Sequence, residues 1–422
     1  MTATAQLESP QQPAALPSNN MYLQGNFAPV EREITVGELA VRGALPPELS
    51  GSLLRNGPNP AAAGANHHWF VGDGMLHAIQ LERGRAVGYR NRWIRTQKIE
   101  QALGLPAAPL SPTDAAPGFG AGSISVVQHA GRLLAPGEVG LPFEINAQAD
   151  TLRQYDFDGA LRTSMTGHPK IDPRTGEMFF FGYEADGLAS TKVAYCIADR
   201  HGELEREQWF DAPYCALMHD FVVTEHYALF PVYPTTCDAA RVRAGGDHWV
   251  HEMDRDSWVG VMPRYGDVAD MRWFRGPRGA FCFHVMNAFE DGAGRIQLDQ
   301  CLSSVNVFPF IQRASGLNIP PAESGARLAR WTIDLRDGSD AVAETVIGPP
   351  GDLPVVPAVS HGRAYDHAWM LTMNPEMRGP PVFGGPVGVM FNTLLRLDFT
   401  GRPPQALALP PGWCLSEPAH VA

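Results

Sequence analysis

Three histidines occupy stretches that should be buried: His168 in M-T-G-H-P-K-I-D-P-R-T-G-E-M, His219 in C-A-L-M-H-D-F-V-V-T-E, and His284 in F-C-F-H-V-M-N-A-F-E. An imidazole without a partner is costly in such surroundings, so each needs a hydrogen-bonding group or a metal ion. The three lie 51 and 65 residues apart, which excludes a local zinc-finger spacing and suits ligands delivered by separate elements around a common axis. A donor set made only of imidazoles favours a borderline ion such as iron, zinc or copper over magnesium or calcium.

The elements that must position these rings can be read from their flanks. Pro169 fixes its own φ and pushes His168 towards an extended backbone. Asp172, Pro173, Thr175 and Gly176 supply a turn, and Glu177 to Tyr183 reads as an aromatic-rich strand. Further histidines, His67, His68 and His77, sit in N-H-H-W-F-V-G-D-G-M-L-H, where Gly72, Asp73 and Gly74 look like a hairpin turn between a Trp/Phe strand and a strand from Met75 to Leu81. These three read as structural or substrate-facing. Strands are expected at Val87–Arg95, Ser123–Gln128, Arg132–Ala135, Phe143–Asn146 and Thr151–Asp156, with helix only near Gln97–Leu105. Such regular spacing indicates an all-β sandwich or propeller. No repeat of fixed period is visible, and no linker divides the chain.

Composition agrees and excludes several classes. The 422 residues include 43 Gly and 37 Pro, with 18% charged residues, as expected for many short strands joined by tight turns. A net charge of -12 without a basic cluster argues against nucleic acid as a partner. No apolar run is long enough for a transmembrane helix. Residues 1–21 lack the basic and apolar regions of a signal peptide and read as a disordered leader to a single domain spanning 22–422. The six cysteines form no CxxC pair, so zinc-ribbon and dithiol redox readings fail, and a reducing, cytoplasmic compartment is expected.

Several stretches together resemble the carotenoid cleavage oxygenase family, in particular the bacterial branch with lignostilbene dioxygenases and isoeugenol monooxygenase. They are L-L-R-N-G-P-N-P, F-V-G-D-G-M-L-H, A-G-R-L-L-A-P-G-E-V-G-L-P-F-E-I, T-G-H-P-K-I-D-P-R-T-G-E-M, M-H-D-F-V-V-T-E, W-V-G-V-M-P-R, R-W-F-R, F-H-V-M-N-A-F-E and S-E-P, in order from about residue 30 to the end. The resemblance implies a seven-bladed β-propeller whose axis carries a non-haem Fe(2+) held by four histidines, with O2 as co-substrate. Three of those ligands match His168, His219 and His284. Carboxylates behind the ligands match Glu138, expected to serve His219, then Asp352, expected to serve His284, and Glu417. Asp352 stands where the family more often has Glu, so its hydrogen bond to His284 is expected to be long or water-mediated.

The fourth ligand is expected beyond the S-E-P motif, and the sequence ends at Ala422, five residues after Glu417. By this reading the protein is C-terminally truncated and its closing blade incomplete. His420 is the nearest candidate, but in a strand it would face the side opposite to Glu417. His361 and His367, in H-G-R-A-Y-D-H-A-W-M, match a segment without ligands. The resemblance implies a dioxygenase that cleaves a C=C bond of an apocarotenoid, or of an aryl-alkene or stilbene, to carbonyl products; its small-molecule partner is an apolar or phenolic alkene. In the phenolic branch a lysine commonly precedes the first such glutamate, whereas Gly137 stands here. Trp69, Phe70, Trp93, Phe281 and Phe308 are candidates to line the substrate tunnel. The competing readings are a degenerate propeller that binds a polyene or stilbene without cleaving it, and a scaffold propeller without tight metal.

Overall fold

The computed structural model describes residues 23, 28–62, 72–106, 122–305, 312–313, 326–373, 391–410 and 413–421. Six four-stranded antiparallel sheets follow one another along the chain. The first joins β1 (Thr35–Val36), β2 (Gly51–Pro58), β3 (Gly74–Glu82) and β4 (Arg85–Trp93), and α1 (Gln97–Leu103) follows it. The second contains β5 (Val127–His129), β6 (Arg132–Ala135), β7 (Phe143–Ile145) and β8 (Thr151–Gln154). The third contains β9 (Lys170–Ile171), β10 (Met178–Gly182), β11 (Lys192–Ala198) and β12 (Leu204–Asp211).

The fourth sheet begins with β13 (Val222–Val223) and β14 (Tyr227–Val232), then is interrupted by an insert holding β15 (Thr235–Thr236), α2 (Ala239–Arg243) and β16 (Val250–His251). It resumes with β17 (Asp256–Pro263) and β18 (Arg272–Arg278). The fifth sheet contains β19 (Phe281–Glu290), β20 (Arg295–Ser303), β22 (Arg327–Asp334) and β23 (Ala343–Pro350). Between its second and third strands lies β21 (Gln312–Arg313), which pairs parallel to β16 and completes a small three-stranded sheet with the insert. The sixth contains β24 (Asp352–Val355), β25 (His367–Thr372), β26 (Thr393–Asp398) and β27 (Gln405–Ala408).

The first strands of successive sheets touch one another, β13 against β19 and β19 against β24, so the sheets are propeller blades with their leading strands gathered around an axis. The all-β propeller expected from the sequence is therefore present, with six four-stranded blades among the described residues. The leader expected over residues 1–21 lies outside them.

Stacking between blades explains why the middle strands are apolar throughout. In β10, Met178 and Phe180 pack with Leu134 and Tyr155 of the second blade's side, whereas Phe179 and Phe181 pack with Phe230 and Phe221 of the fourth's. β11 alternates in the same way, Ala194 and Cys196 to one side, Val193 and Tyr195 to the other. A strand covered on both faces reads as a continuous hydrophobic run, and each buried Phe contributes roughly 1.5–3 kcal/mol. Similar clusters fill the joints between the first and second, fourth and fifth, and fifth and sixth blades.

Most expected elements form, with telling exceptions. Helix α1 starts at Thr96, whose side chain accepts from the Ile99 N–H, and stops at Gly104 in the left-handed region. The strand expected from Ser123 shrinks to Val127–His129, because the Ser125 hydroxyl donates to the Gly167 carbonyl and the Asn56 amide to the Ser125 carbonyl, which ties this stretch to neighbouring loops. Strand β3 forms as expected but pairs with β2 and β4. The Trp/Phe strand expected before it, with His67, His68, Trp69 and Phe70, lies outside the described residues, as does Phe308.

Candidate metal centre

The three histidines reach one point from the leading sides of the third, fourth and fifth blades. His168 sits just before β9, held there by the turn expected from the sequence: the Asp172 N–H donates to the Glu177 carbonyl over 3.0 Å, and Gly176, at φ 76°, donates to the Asp172 carbonyl over 2.8 Å. His219 is not in a strand; it lies in the extended segment before β13, with the Thr166 hydroxyl donating to its carbonyl over 3.1 Å. His284 lies within β19, where the pairing with β20 slips between Cys282 and Val285 and again between Val285 and Asn287. Two bulges around one residue turn its side chain away from the simple alternation of a strand and aim it at the axis.

The resulting geometry can hold a metal ion. His168 Nε2 and His219 Nε2 are 2.8 Å apart. Ligands at right angles on metal bonds of about 2.1 Å stand about 3 Å apart, so the spacing fits a shared ion. The rings of His168, His219 and His284 are mutually edge-on, at 68°, 80° and 81°, and their donor nitrogens all lie within 4.8 Å of one another. Burial, reinforced by the two neighbouring histidines, holds the His168 pKa well below the ordinary imidazole value, which keeps it a neutral donor.

Carboxylates fix two of the rings from behind. His219 Nδ1 is 2.7 Å from Glu138 Oε2, and the other oxygen of Glu138 accepts from the Tyr183 hydroxyl over 2.8 Å. Burial and the Glu138 charge push the Tyr183 pKa well up, so it remains a phenol that donates. His284 Nδ1 is 2.9 Å from Asp352 Oδ1. Burial opposes protonation of His284, but the charge and hydrogen bond of Asp352 outweigh it and raise its pKa to about 9. The direct contact corrects the expectation of a long or water-mediated link. Asp352 opens β24, which packs against β19, and a bulge follows it with Leu353 at φ 54°, so the backbone brings the shorter side chain within reach.

Other expected residues fall elsewhere. Glu417 Oε1 stands 3.8 Å from His284 Nε2, on the metal-facing side of that ring and not behind a ligand, with a half-exposed side chain. The ring nitrogen it approaches is the one that Asp352 leaves open. His420 stacks on Trp369 at 4.8 Å and leaves the axis, while His361, His367 and His77 do not join the cluster. His77 Nδ1 instead meets the Tyr89 hydroxyl at 2.8 Å. Trp93 packs with Met75 and Ile99 and donates to the Asn59 carbonyl, which makes it core and not tunnel.

One residue that sequence reasoning passed over ties the centre together. Asp220, nearly inaccessible, accepts from the Val285 N–H through Oδ2 over 2.9 Å and meets Lys170 Nζ through Oδ1 at 2.6 Å. It is adjacent to His219, Val285 is adjacent to His284, and Lys170 is two residues from His168, so one carboxylate links all three histidine-bearing segments. The signal was present in H-D-F-V-V: a charge inside an apolar run must be paired. Phe283 completes the surroundings, its ring stacked on His219 at 3.6 Å and 17°.

Comparison with known proteins places this arrangement. The family described as retinal pigment epithelial membrane protein matches residues 27–422. Isoeugenol monooxygenase of Pseudomonas putida is 36% identical over 344 residues, covering 79% of this chain and 71% of that protein. Lignostilbene-alpha,beta-dioxygenase isozyme III of Sphingomonas paucimobilis is 32% identical over 420 residues, covering 94% of this chain and 84% of that one. Among solved structures, Pseudomonas brassicacearum lignostilbene dioxygenase superposes with a TM-score of 0.85 at 32% identity, over 93% of this chain and 85% of that one. Synechocystis apocarotenoid oxygenase in its cobalt-substituted form shares the fold, with a TM-score of 0.73 at 24% identity and 91% and 82% coverage. The chain thus belongs to the retinal pigment epithelial membrane protein family, that of the carotenoid cleavage oxygenases, and is an enzyme of that oxygenase class.

Proposed function

We propose that this protein is a non-haem Fe(2+)-dependent dioxygenase that splits a C=C bond of an aryl-alkene or stilbene, or of an apocarotenoid, into two carbonyl products. The observation that carries the reading is the convergence of His168, His219 and His284, two of them backed by carboxylates, on one buried point. An all-imidazole donor set with its outer nitrogens hydrogen-bonded fits a borderline divalent ion of the kind iron is. Bound there, Fe(2+) would supply the activation of O2 that addition to an alkene requires.

The chain's own contribution is to hold and to exclude. Glu138 and Asp352 accept from the Nδ1 sides of His219 and His284, leaving Nε2 of each to face the ion. Tyr183 keeps the second oxygen of Glu138 occupied, so the carboxylate cannot swing towards the ion itself. Phe283, with Phe281 and Phe181 behind it, covers His219 with apolar surface and keeps water from that side. The alkene and O2 together contain every atom of the two carbonyl products, so no reductant is needed. The names of the relatives favour an aryl-alkene, while Gly137 places no cation beside Glu138 to meet a phenolate. One seven-bladed propeller domain over residues 22–422 completes the proposal; the six four-stranded blades among the described residues and the superposition on lignostilbene dioxygenase support it.

The test is anaerobic reconstitution with Fe(2+), followed by O2 uptake with a hydroxystilbene, isoeugenol and an apocarotenal. One O2 consumed for each alkene cleaved to two carbonyls is expected for one of the three. Tight binding of any of them to the iron-loaded protein without O2 uptake would instead establish the non-cleaving binding propeller.

A further inference from the structure

A second cluster of metal-binding side chains lies away from the axis. Glu184, Cys237 and His248 bring a carboxylate oxygen, a thiol sulfur and an imidazole nitrogen within 4.8 Å of one another. They come from two blades. Glu184 follows β10 of the third blade and sits at φ 48°, a left-handed conformation unusual for a residue with a side chain. Cys237 follows β15 and His248 precedes β16, so both belong to the insert of the fourth blade. His248 Nε2 is 2.9 Å from Glu184 Oε2, and the remaining oxygen of Glu184 accepts from the Ala189 N–H.

A second thiol stands next to the cluster without belonging to it. Ala216 and Thr236 form an antiparallel bridge, and the Cys237 N–H donates to the Cys215 carbonyl over 3.3 Å, which sets the two cysteines directly opposite each other. Both are buried free thiols. The insert that presents Cys237 and His248 is internally braced: Arg241 donates to the carbonyls of Thr236, Asp247 and His248. A pre-braced loop that brings a thiol and an imidazole to a carboxylate gives the donor set and the softness that zinc selects, and that magnesium or calcium does not.

We propose that Glu184, Cys237 and His248 form a site with a single thiolate for zinc or a similar borderline divalent ion, which staples the insert of the fourth blade to the third.

Cobalt(II) distinguishes this site from the axial one, because only a sulfur ligand gives a thiolate-to-cobalt charge-transfer band in the near ultraviolet. Reduced, metal-free protein with all thiols counted is titrated anaerobically with cobalt. The band should reach saturation by the second equivalent, since the axial histidines can take one, be displaced by zinc, persist in His219→Ala and vanish in Cys237→Ser. His248→Gln should keep the band but weaken cobalt binding ~10-fold or more. Absence of the band from fully reduced wild-type protein at cobalt saturation, or its survival in Cys237→Ser, overturns the proposal. Since the axial histidines carry no sulfur, neither result bears on the oxygenase reading.

Discussion

At the scale of single residues, Asp352 decides how His284 behaves. The pair at 2.9 Å raises the His284 pKa from 6.5 to about 9, so in the ion-free protein this imidazole is a cation below that pH. A metal ion needs it neutral, and protons therefore compete with metal throughout the neutral range. Metal affinity is expected to rise as pH is raised and to level off near pH 9. In Asp352→Asn the cation loses its support, so the levelling point moves to lower pH, while affinity above it falls roughly 10–100-fold because ring orientation and basicity are lost. Equilibrium titration with metal across pH reads both, and an unmoved levelling point would refute the role given to Asp352. Glu138 and His219 were legible in sequence because the family motifs span them; the separation of Asp352 from His284 by a direct hydrogen bond was not, since a side chain one methylene shorter looks too short until the backbone of β24 is seen.

At the scale of elements, the ligands depend on irregularities that no period-two reading of a strand reveals. His284 faces the axis because β19 carries two bulges, and His219 does so from a segment with no strand at all. These elements are tied by Asp220, whose side chain touches none of the three imidazoles' metal-facing nitrogens. Asp220→Ala leaves Lys170 and the Val285 N–H without their partner, which should cost roughly 3–5 kcal/mol of stability. It should also weaken metal binding, although no ligand is altered. Asp220→Asn keeps an acceptor for Val285 and should recover most of the metal affinity but not the stability contributed by the ion pair. Urea denaturation and metal titration on the two variants separate the effects; equal metal affinity in Asp220→Ala and wild type would show that the tie is not needed. The cysteines teach the same lesson. Scanning for CxxC finds nothing, because Cys215 and Cys237 are made neighbours by antiparallel pairing and not by spacing.

At the scale of the whole molecule, stability resides in the joints between blades. The aromatic run Phe179–Phe180–Phe181 serves two joints at once, which is why it looked in sequence like a buried strand but gave no hint of the blade order. Phe180 is fully buried beside Phe157, their rings stacked at 5.3 Å. Phe180→Ala should cost about 3–5 kcal/mol through a cavity between the second and third blades, with the fall read as a lowered denaturation midpoint. A loss under ~1 kcal/mol would mean that the joint collapses freely and that blade stacking is looser than this packing implies. The propeller class was legible from strand spacing and the ordered motifs; blade membership was not, because each blade is closed by pairings that skip over turns and inserts of variable length.

The hydroxyl of Tyr183 joins these scales. It donates to Glu138, which holds His219, and the next residue along the chain is Glu184 of the thiolate cluster. Two binding equilibria that share a rigid thread are subject to reciprocity: if filling one pocket sharpens the other's affinity by some factor, the second must sharpen the first by that same factor. Tyr183→Phe cuts the thread at one oxygen, and with it any cooperativity between the two ions.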